Sequence, residues 1–149
     1  MRAVIQRVKH ASVTIDSQIS GKIGKGLLVF LGIGESDTEK DLEYIEKKTA
    51  GLRIFSDEND KMNKNITDVQ GSLLVVSQFT LYGDVRKGNR PSFTASMEPV
   101  KANVMYEKFI SDMREKGLDV QHGEFGADMQ VELLNDGPVT ILLDSTKIL

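Results

Sequence analysis

Residues 73–81 read Leu73-Leu74-Val75-Val76-Ser77-Gln78-Phe79-Thr80-Leu81. Four apolar residues in a row with strong strand preference require burial, so Leu73 to Phe79 is predicted to be a buried strand. The run then passes into hydroxyl, amide, aromatic and hydroxyl side chains, and Tyr82-Gly83-Asp84 breaks the pattern as a turn. Strand ends that open into loops are where a rigid scaffold presents chemistry. The same hydroxyls can equally cap a strand through local hydrogen bonds. On its own, the pentapeptide Ser77 to Leu81 is therefore only a candidate site.

Upstream, residues 2 to 9 alternate, with Val4, Gln6 and Val8 on one face and Ala3, Ile5 and Arg7 on the other. Val13 and Ile15 continue the pattern, Asp16-Ser17-Gln18 is a turn signal, and Ile19 to Ile23 can return as a hairpin strand. Gly21, Gly24 and Gly26 surround two lysines but match neither phosphate-loop nor dinucleotide spacing, so a turn or bulge is the better reading. Leu27 to Ile33 is a continuous apolar run, expected as a central strand buried on both faces. Ser36-Asp37-Thr38-Glu39 fits a capping box. A helix carrying Leu42, Ile45 and Thr49 on one face follows it and stops at Gly51. Leu52 to Phe55 reads as a short strand and Ser56 to Asp68 as a long polar loop.

Downstream, Arg86-Lys87-Gly88-Asn89-Arg90 is the densest basic cluster, which a solvated loop explains as well as a binding role does. From Pro99, the residues Ala102, Met105, Tyr106, Phe109, Ile110 and Met113 follow helical spacing, with Gly117 as the stop. Asp119 to Phe125, Met129 to Leu134 and Val139 to Leu143 read as strands, the last two separated by an Asn135-Asp136-Gly137-Pro138 turn. Strands, helix, strands, helix, strands imply one α/β domain over residues 1–149, with two helices packed on a mixed sheet.

Composition narrows the chemistry. The chain has 149 residues, a net charge of −3 and no cysteine. Thiolate catalysis, disulfides and Cys-based zinc sites are thereby excluded, and extended phosphate-backbone binding is disfavoured. No apolar run approaches the roughly 18 residues of a membrane span, and the amino-terminal segment reads as a strand rather than a signal peptide, which suits a cytoplasmic protein without membrane partners. The two histidines, His10 and His122, lie in no recognisable catalytic or metal motif. No carboxylate cluster has metal-ligand spacing, so neither metal nor cofactor is expected. What remains is hydroxyls, amides and main-chain groups. Such a set suits an already activated substrate such as a labile aminoacyl ester, where backbone N–H donors stabilise the oxyanion.

Ser77-Gln78-Phe79-Thr80-Leu81 together with Asn135-Asp136-Gly137-Pro138-Val139-Thr140 resembles the paired motifs of the D-aminoacyl-tRNA deacylase family. The opening Met1-Arg2-Ala3-Val4-Ile5-Gln6-Arg7-Val8 and the loop Arg86 to Phe93 are similar to the same family, and the resemblance spans essentially the whole chain. It implies a three-layer α/β/β fold and a homodimer with its active sites at the interface. It also implies cleavage of the ester between a D-amino acid and the terminal adenosine of tRNA. Ser77 to Thr80 would line the pocket, with Gln78 orienting substrate and the Phe79 N–H as an oxyanion donor. Thr80 would be either the nucleophile or a positioning group, with the adenosine 2′-hydroxyl assisting water. Because no histidine is placed by motif to activate a threonine hydroxyl, the second role is favoured.

The resemblance further implies that Gly137-Pro138 is a cis dipeptide inserted into the partner's pocket, where main-chain atoms exclude an L side chain; a trans hairpin turn is the plain alternative. Glycyl-tRNA, with no side chain to exclude, would also be cleaved. Arg7 would brace that turn, and Phe125 and Met129 would lie near the adenine, or else belong to the core. Arg86, Lys87 and Arg90 would meet phosphates of the acceptor end. Two other classes remain: a dimeric RNA-binding module without hydrolytic activity, and a small-molecule esterase.

Overall fold

The computed structural model describes all residues 1–149. The alternating amino terminus forms one long strand, β1 (Arg2–Ile15), which turns at Asp16-Ser17 into β2 (Gln18–Ile23). The apolar run forms β3 (Gly26–Gly32), and α1 (Glu39–Gly51) follows. A short hairpin, β4 (Phe55–Ser56) and β5 (Met62–Lys64), precedes β6 (Ser72–Ser77). After a one-turn 3-10 helix (Phe79–Tyr82) and a loop come α2 (Pro99–Glu115), β7 (Asp119–His122) and β8 (Gln130–Asp144).

The main sheet runs β2-β1-β3-β6-β7, with β8 on the other side of β1. β3 and β6 are parallel neighbours, as are β6 and β7, while β1 is antiparallel to β2, β3 and β8. Strand alternation sorts the side chains into two cores. Ala3, Ile5, Leu27, Val29, Leu31, Leu73 and Val75 face both helices, meeting Leu42 and Ile45 of α1 and Tyr106, Phe109 and Met113 of α2. Val8, Val13, Leu28, Leu74 and Val76 point the other way, into a smaller core covered by the curled outer half of β1 with β2 and β8. The sheet almost closes on itself. A Cβ on Gly21 of β2 would sit 2.8 Å from the His122 carbonyl oxygen of β7, so only glycine allows that approach. One α/β domain with both helices on one face is thus the observed class.

Several boundaries differ from the sequence reading. Asn135 to Pro138 is not a hairpin turn: the chain continues in one direction through β8, and the extra residues are absorbed as a bulge opposite Gln6 to His10 of β1. β1 pairs along both flanks of the bulge and holds the direction. The Asn135 side-chain amide donates to the carbonyls of Arg7 and Val139, both at 3.0 Å, satisfying acceptors the bulge frees. The helix cap is Thr38 with Asp41, not Ser36 with Glu39: the Asp41 carboxylate accepts from the Thr38 N–H at 2.7 Å. Only Phe55 of the expected 52–55 strand is in a strand, and the expected 56–68 loop contains the β4–β5 hairpin. The Asp57 carboxylate closes that hairpin by accepting from the N–H groups of Asn59 and Lys61. β7 stops at His122, short of Phe125.

Candidate active site

β6 ends at Ser77, where the sequence changes from apolar to polar. The Gln78 N–H still donates to the Leu31 carbonyl at 2.8 Å, but Gln78 itself (φ −145°, ψ 79°) turns the chain out of the sheet. The predicted strand to Phe79 is therefore two residues shorter. Phe79 and Thr80 open the 3-10 turn instead, where no preceding helical turn supplies carbonyls for their N–H groups. The Ser96 hydroxyl donates to the Phe79 carbonyl at 3.2 Å and fixes the turn from the far side.

This turn forms one wall of a cleft of about 420 Å³. Ser77, Gln78 and Phe79 stand on one side, Phe93 and Ser96 come from the loop before α2, and Phe125 and Gly126 from the loop after β7. Phe79 is 57% exposed despite its size and packs edge-on against Phe93 at 5.0 Å between ring centroids. Phe125 is half-buried and leans on Tyr106 at 5.9 Å. The lower rim is the start of α2, whose first N–H groups are taken by the Glu98 carboxylate. Those hydrogen bonds hold Glu98 below the usual carboxylate range.

Thr80 Oγ1 is hydrogen-bonded to the Gln78 side-chain amide and to no imidazole, carboxylate or amine. His122 is occupied elsewhere, its Nδ1 lying 2.6 Å from the Gly123 carbonyl oxygen. The Tyr82 hydroxyl is pushed well above its ordinary range by burial, and stays a neutral phenol. Apart from the Glu98 carboxylate on the rim, which is taken up by the Val100 and Lys101 N–H groups, the polar groups beside the cleft are neutral hydroxyls, an amide and main-chain N–H groups. No group of three or more His, Cys, Asp or Glu is arranged to hold a metal.

The remaining candidates lie elsewhere in the chain. Arg7 donates from Nη1 to the Ile54 carbonyl at 2.6 Å and from Nε to the Asp136 carbonyl at 3.2 Å, and its Nε is 3.4 Å from the Asp136 carboxylate. It thus ties β1 to the bulge that carries Gly137-Pro138, a dipeptide that is cis here. Gly137 has φ +125°, a conformation that favours glycine, and a Cβ there would also displace the Arg7 guanidinium, whose Nη2 would lie 2.8 Å away. Neither Gly137 nor Pro138 lines the Phe79 cleft of its own chain. Met129 packs its sulfur over Gly123 and beside the smaller core, in a separate depression with Thr14 and Asp16. Arg86 is held by the Asp84 carboxylate, which accepts from its Nε at 2.9 Å and Nη2 at 2.7 Å. The side-chain hydrogen bonds from Arg86 lower the Asp84 carboxyl to about 2. Lys87 and Arg90 are exposed and form no ion pair.

The structure thus brings Ser77, Gln78, Phe79 and Phe125 together in one cleft, leaves Thr80 off its lining and tied to it through Gln78, and leaves Arg7, Gly137, Pro138 and Met129 outside it. Ser96 and Gly126 were not singled out in the sequence, and Phe93 entered only as the end of the Arg86 to Phe93 loop that carries part of the resemblance.

The cleft is apolar with aromatic walls at a strand end, and its one carboxylate, Glu98, is already held by main-chain donors. Comparison with known proteins shows the family. The chain belongs to the D-Tyr-tRNA(Tyr) deacylase family, whose profile matches residues 4–144. Relatives more than half identical to it are named D-aminoacyl-tRNA deacylases. The D-aminoacyl-tRNA deacylase of Koribacter versatilis (strain Ellin345) is 60% identical over 147 residues, 99% of each chain. That of Thermotoga petrophila is 56% identical over 148 residues, again 99% of each. Among solved structures, the c-Myc DNA Unwinding Element Binding Protein is 44% identical, with TM-score 0.91 over 97% of this chain and 98% of that one. A probable eukaryotic D-amino acid tRNA deacylase has TM-score 0.82 at 17% identity, covering 95% and 97%, a likeness of fold alone.

Proposed function

We propose that this chain hydrolyses the ester joining a D-amino acid to the terminal adenosine of tRNA, and that it does so as a homodimer. The observation that carries this reading is the 3-10 turn at the end of β6, which opens at Phe79 on the wall of an aromatic cleft whose one carboxylate, Glu98, is already bound by the Val100 and Lys101 N–H groups. An aminoacyl ester is already activated, so a fixed oxyanion donor can supply much of the rate. Loss of one such donor typically costs about 2.7–4 kcal/mol. In this reading the Gln78 amide orients substrate, Ser77 lines the pocket, and Thr80 positions groups while water attacks with help from the adenosine 2′-hydroxyl.

Gly137-Pro138 of a second subunit would close the cleft, its carbonyl oxygens holding the substrate's amino group. An L side chain would then meet main-chain atoms, while a D side chain would point outward. Support comes from β8, which pairs only with β1 and presents Leu134 and Leu142, 48% and 54% exposed, along a free edge. Arg7 would hold the inserted bulge. Phe125 and Phe93 would stack the terminal adenine, and Lys87 and Arg90, with Arg86 more weakly, would meet acceptor phosphates. Glycyl-tRNA should be cleaved too, since it offers no side chain to exclude.

The relative named as a DNA-unwinding-element binder favours a second reading, a nucleic-acid-binding role without hydrolysis. A net charge of −3 argues against it. Incubation with D-tyrosyl-tRNA, glycyl-tRNA and a simple D-amino-acid ester separates the possibilities. A deacylase cleaves the two tRNAs far faster than the simple ester. An esterase shows no such preference, and a binding module cleaves none of the three.

A further inference from the structure

Arg2 reaches the candidate site from outside it. It opens β1 directly opposite Asp144 of β8 in the antiparallel register. Its Nε donates to Asp144 Oδ2 at 3.0 Å, and its Nη1 donates to the Leu81 carbonyl at 2.9 Å. The guanidinium carbon lies 4.6 Å from the centre of the Tyr82 ring. One side chain therefore grips a carbonyl and a ring in the second half of the Phe79–Tyr82 turn. That carbonyl stands where no further helical turn follows to satisfy it.

The anchor behind Arg2 is fixed. The Asp144 side chain is 3% exposed and also accepts from the N–H and hydroxyl of Thr146. Burial alone would raise its carboxyl, but the hydrogen bonds from Thr146 and Arg2 outweigh it and hold the group ionised. At its first half the turn is tied by Gln78 to Leu31 and by Ser96 to the Phe79 carbonyl. Arg2 supplies the only charged tether, and it acts on the half farther from the cleft.

We propose that Arg2, anchored on Asp144, is a positioning residue that sets the Phe79–Tyr82 turn, and with it the Phe79 and Thr80 N–H groups, at a fixed place relative to the sheet. The planar guanidinium serves two acceptors at once and stacks on a ring, which a lysine ammonium cannot reproduce. Arg2→Lys keeps a charge beside Asp144 but loses the simultaneous grip on Leu81. Misplacement of main-chain donors by about 1 Å can cost on the order of a hundredfold in rate. The catalytic part of the proposal rests on the deacylase reading above.

The test uses the full chain with Arg2→Lys and Arg2→Ala, thermal melts to fix the folded fraction, and two further readouts. The first is single-turnover and steady-state cleavage of D-tyrosyl-tRNA. The expected result for Arg2→Lys is kcat lower by about 10- to 100-fold with KM within about threefold, a transition-state loss rather than a binding loss. Recovery of Arg2→Ala by added methylguanidinium is expected as well. The second readout is amide hydrogen exchange, expected to quicken at Leu81 and Gly83 while β3 and β6 are unchanged. Parent-like kcat, or a lower kcat without faster exchange in the turn, overturns the proposal. If the parent protein cleaves no D-aminoacyl-tRNA, the deacylase reading fails and exchange alone decides: quickened exchange keeps Arg2 as the holder of the turn, and unchanged exchange removes it.

Discussion

At Thr80 the hydroxyl oxygen is paired with the Gln78 amide, and nothing basic is hydrogen-bonded to it. A threonine in that setting lacks the partner that makes a hydroxyl nucleophilic. Thr80→Ala should therefore keep kcat within about tenfold of the parent on D-tyrosyl-tRNA, whereas removing a true nucleophile costs on the order of 10⁴ or more. Single-turnover rates on the folded variant check this, and a trapped acyl-Thr80 ester contradicts it. Much of this residue-scale chemistry was legible in the sequence. The absence of cysteine and the isolation of both histidines already pointed toward main-chain and neutral polar groups. What the sequence concealed was who stands beside whom. Arg86 looks like a free cation in a basic run, yet two residues earlier lies the carboxylate that takes it.

The helices illustrate the next scale. Glu46 of α1 is buried against α2 and has a carboxyl oxygen without a partner, and its carboxyl is pushed up to about 8, first by burial and then by Asp112. Lys108 and Lys116 offset this only in part. A folded-state value above the usual 4.5 means the neutral form is preferred in the native state. The stability tied to it is intact below about 4.5 and is lost as pH rises toward 8. Glu46→Gln, which mimics the neutral form, should leave the melting temperature near the parent's at about pH 4 and raise it by roughly 10 °C at about pH 9. Melts at the two pH values decide, and an unchanged difference between them counts against a buried neutral Glu46. The pattern of i, i+3 and i+4 residues foretold both helices, but not this contact, because helical periodicity says nothing of which polar residue a neighbouring helix covers. The β8 bulge escaped for a related reason. Asn135-Asp136-Gly137-Pro138 carries turn chemistry, and only the long-range pairing with β1 decides that the chain runs straight through it.

For the whole molecule, an acidic chain that handles tRNA must rely on local charge. Lys87 and Arg90 are the unpaired cations of the loop whose Phe93 borders the cleft. Replacing both with alanine should weaken tRNA binding and lower the slope of log K against log salt by about 1.5. Arg86→Ala should change either far less, because Asp84 already neutralises it. Binding isotherms across a salt series measure all three slopes, and equal losses for the three residues contradict the assignment. The architecture was legible at this scale, since two helices and buried parallel strands force one layered α/β domain. The proposed second wall, Gly137-Pro138 of a partner subunit, was not legible from composition or periodicity, and the chain's own fold leaves that dipeptide outside the Phe79 cleft.

The central claim is that this site cleaves an aminoacyl ester and chooses by chirality through main-chain exclusion. Parallel single-turnover hydrolysis of D-tyrosyl-tRNA and L-tyrosyl-tRNA by one preparation tests it most directly. Main-chain exclusion predicts rapid loss of the D ester and an L ester that survives at the no-enzyme rate. Comparable cleavage of both esters, or of neither, contradicts it.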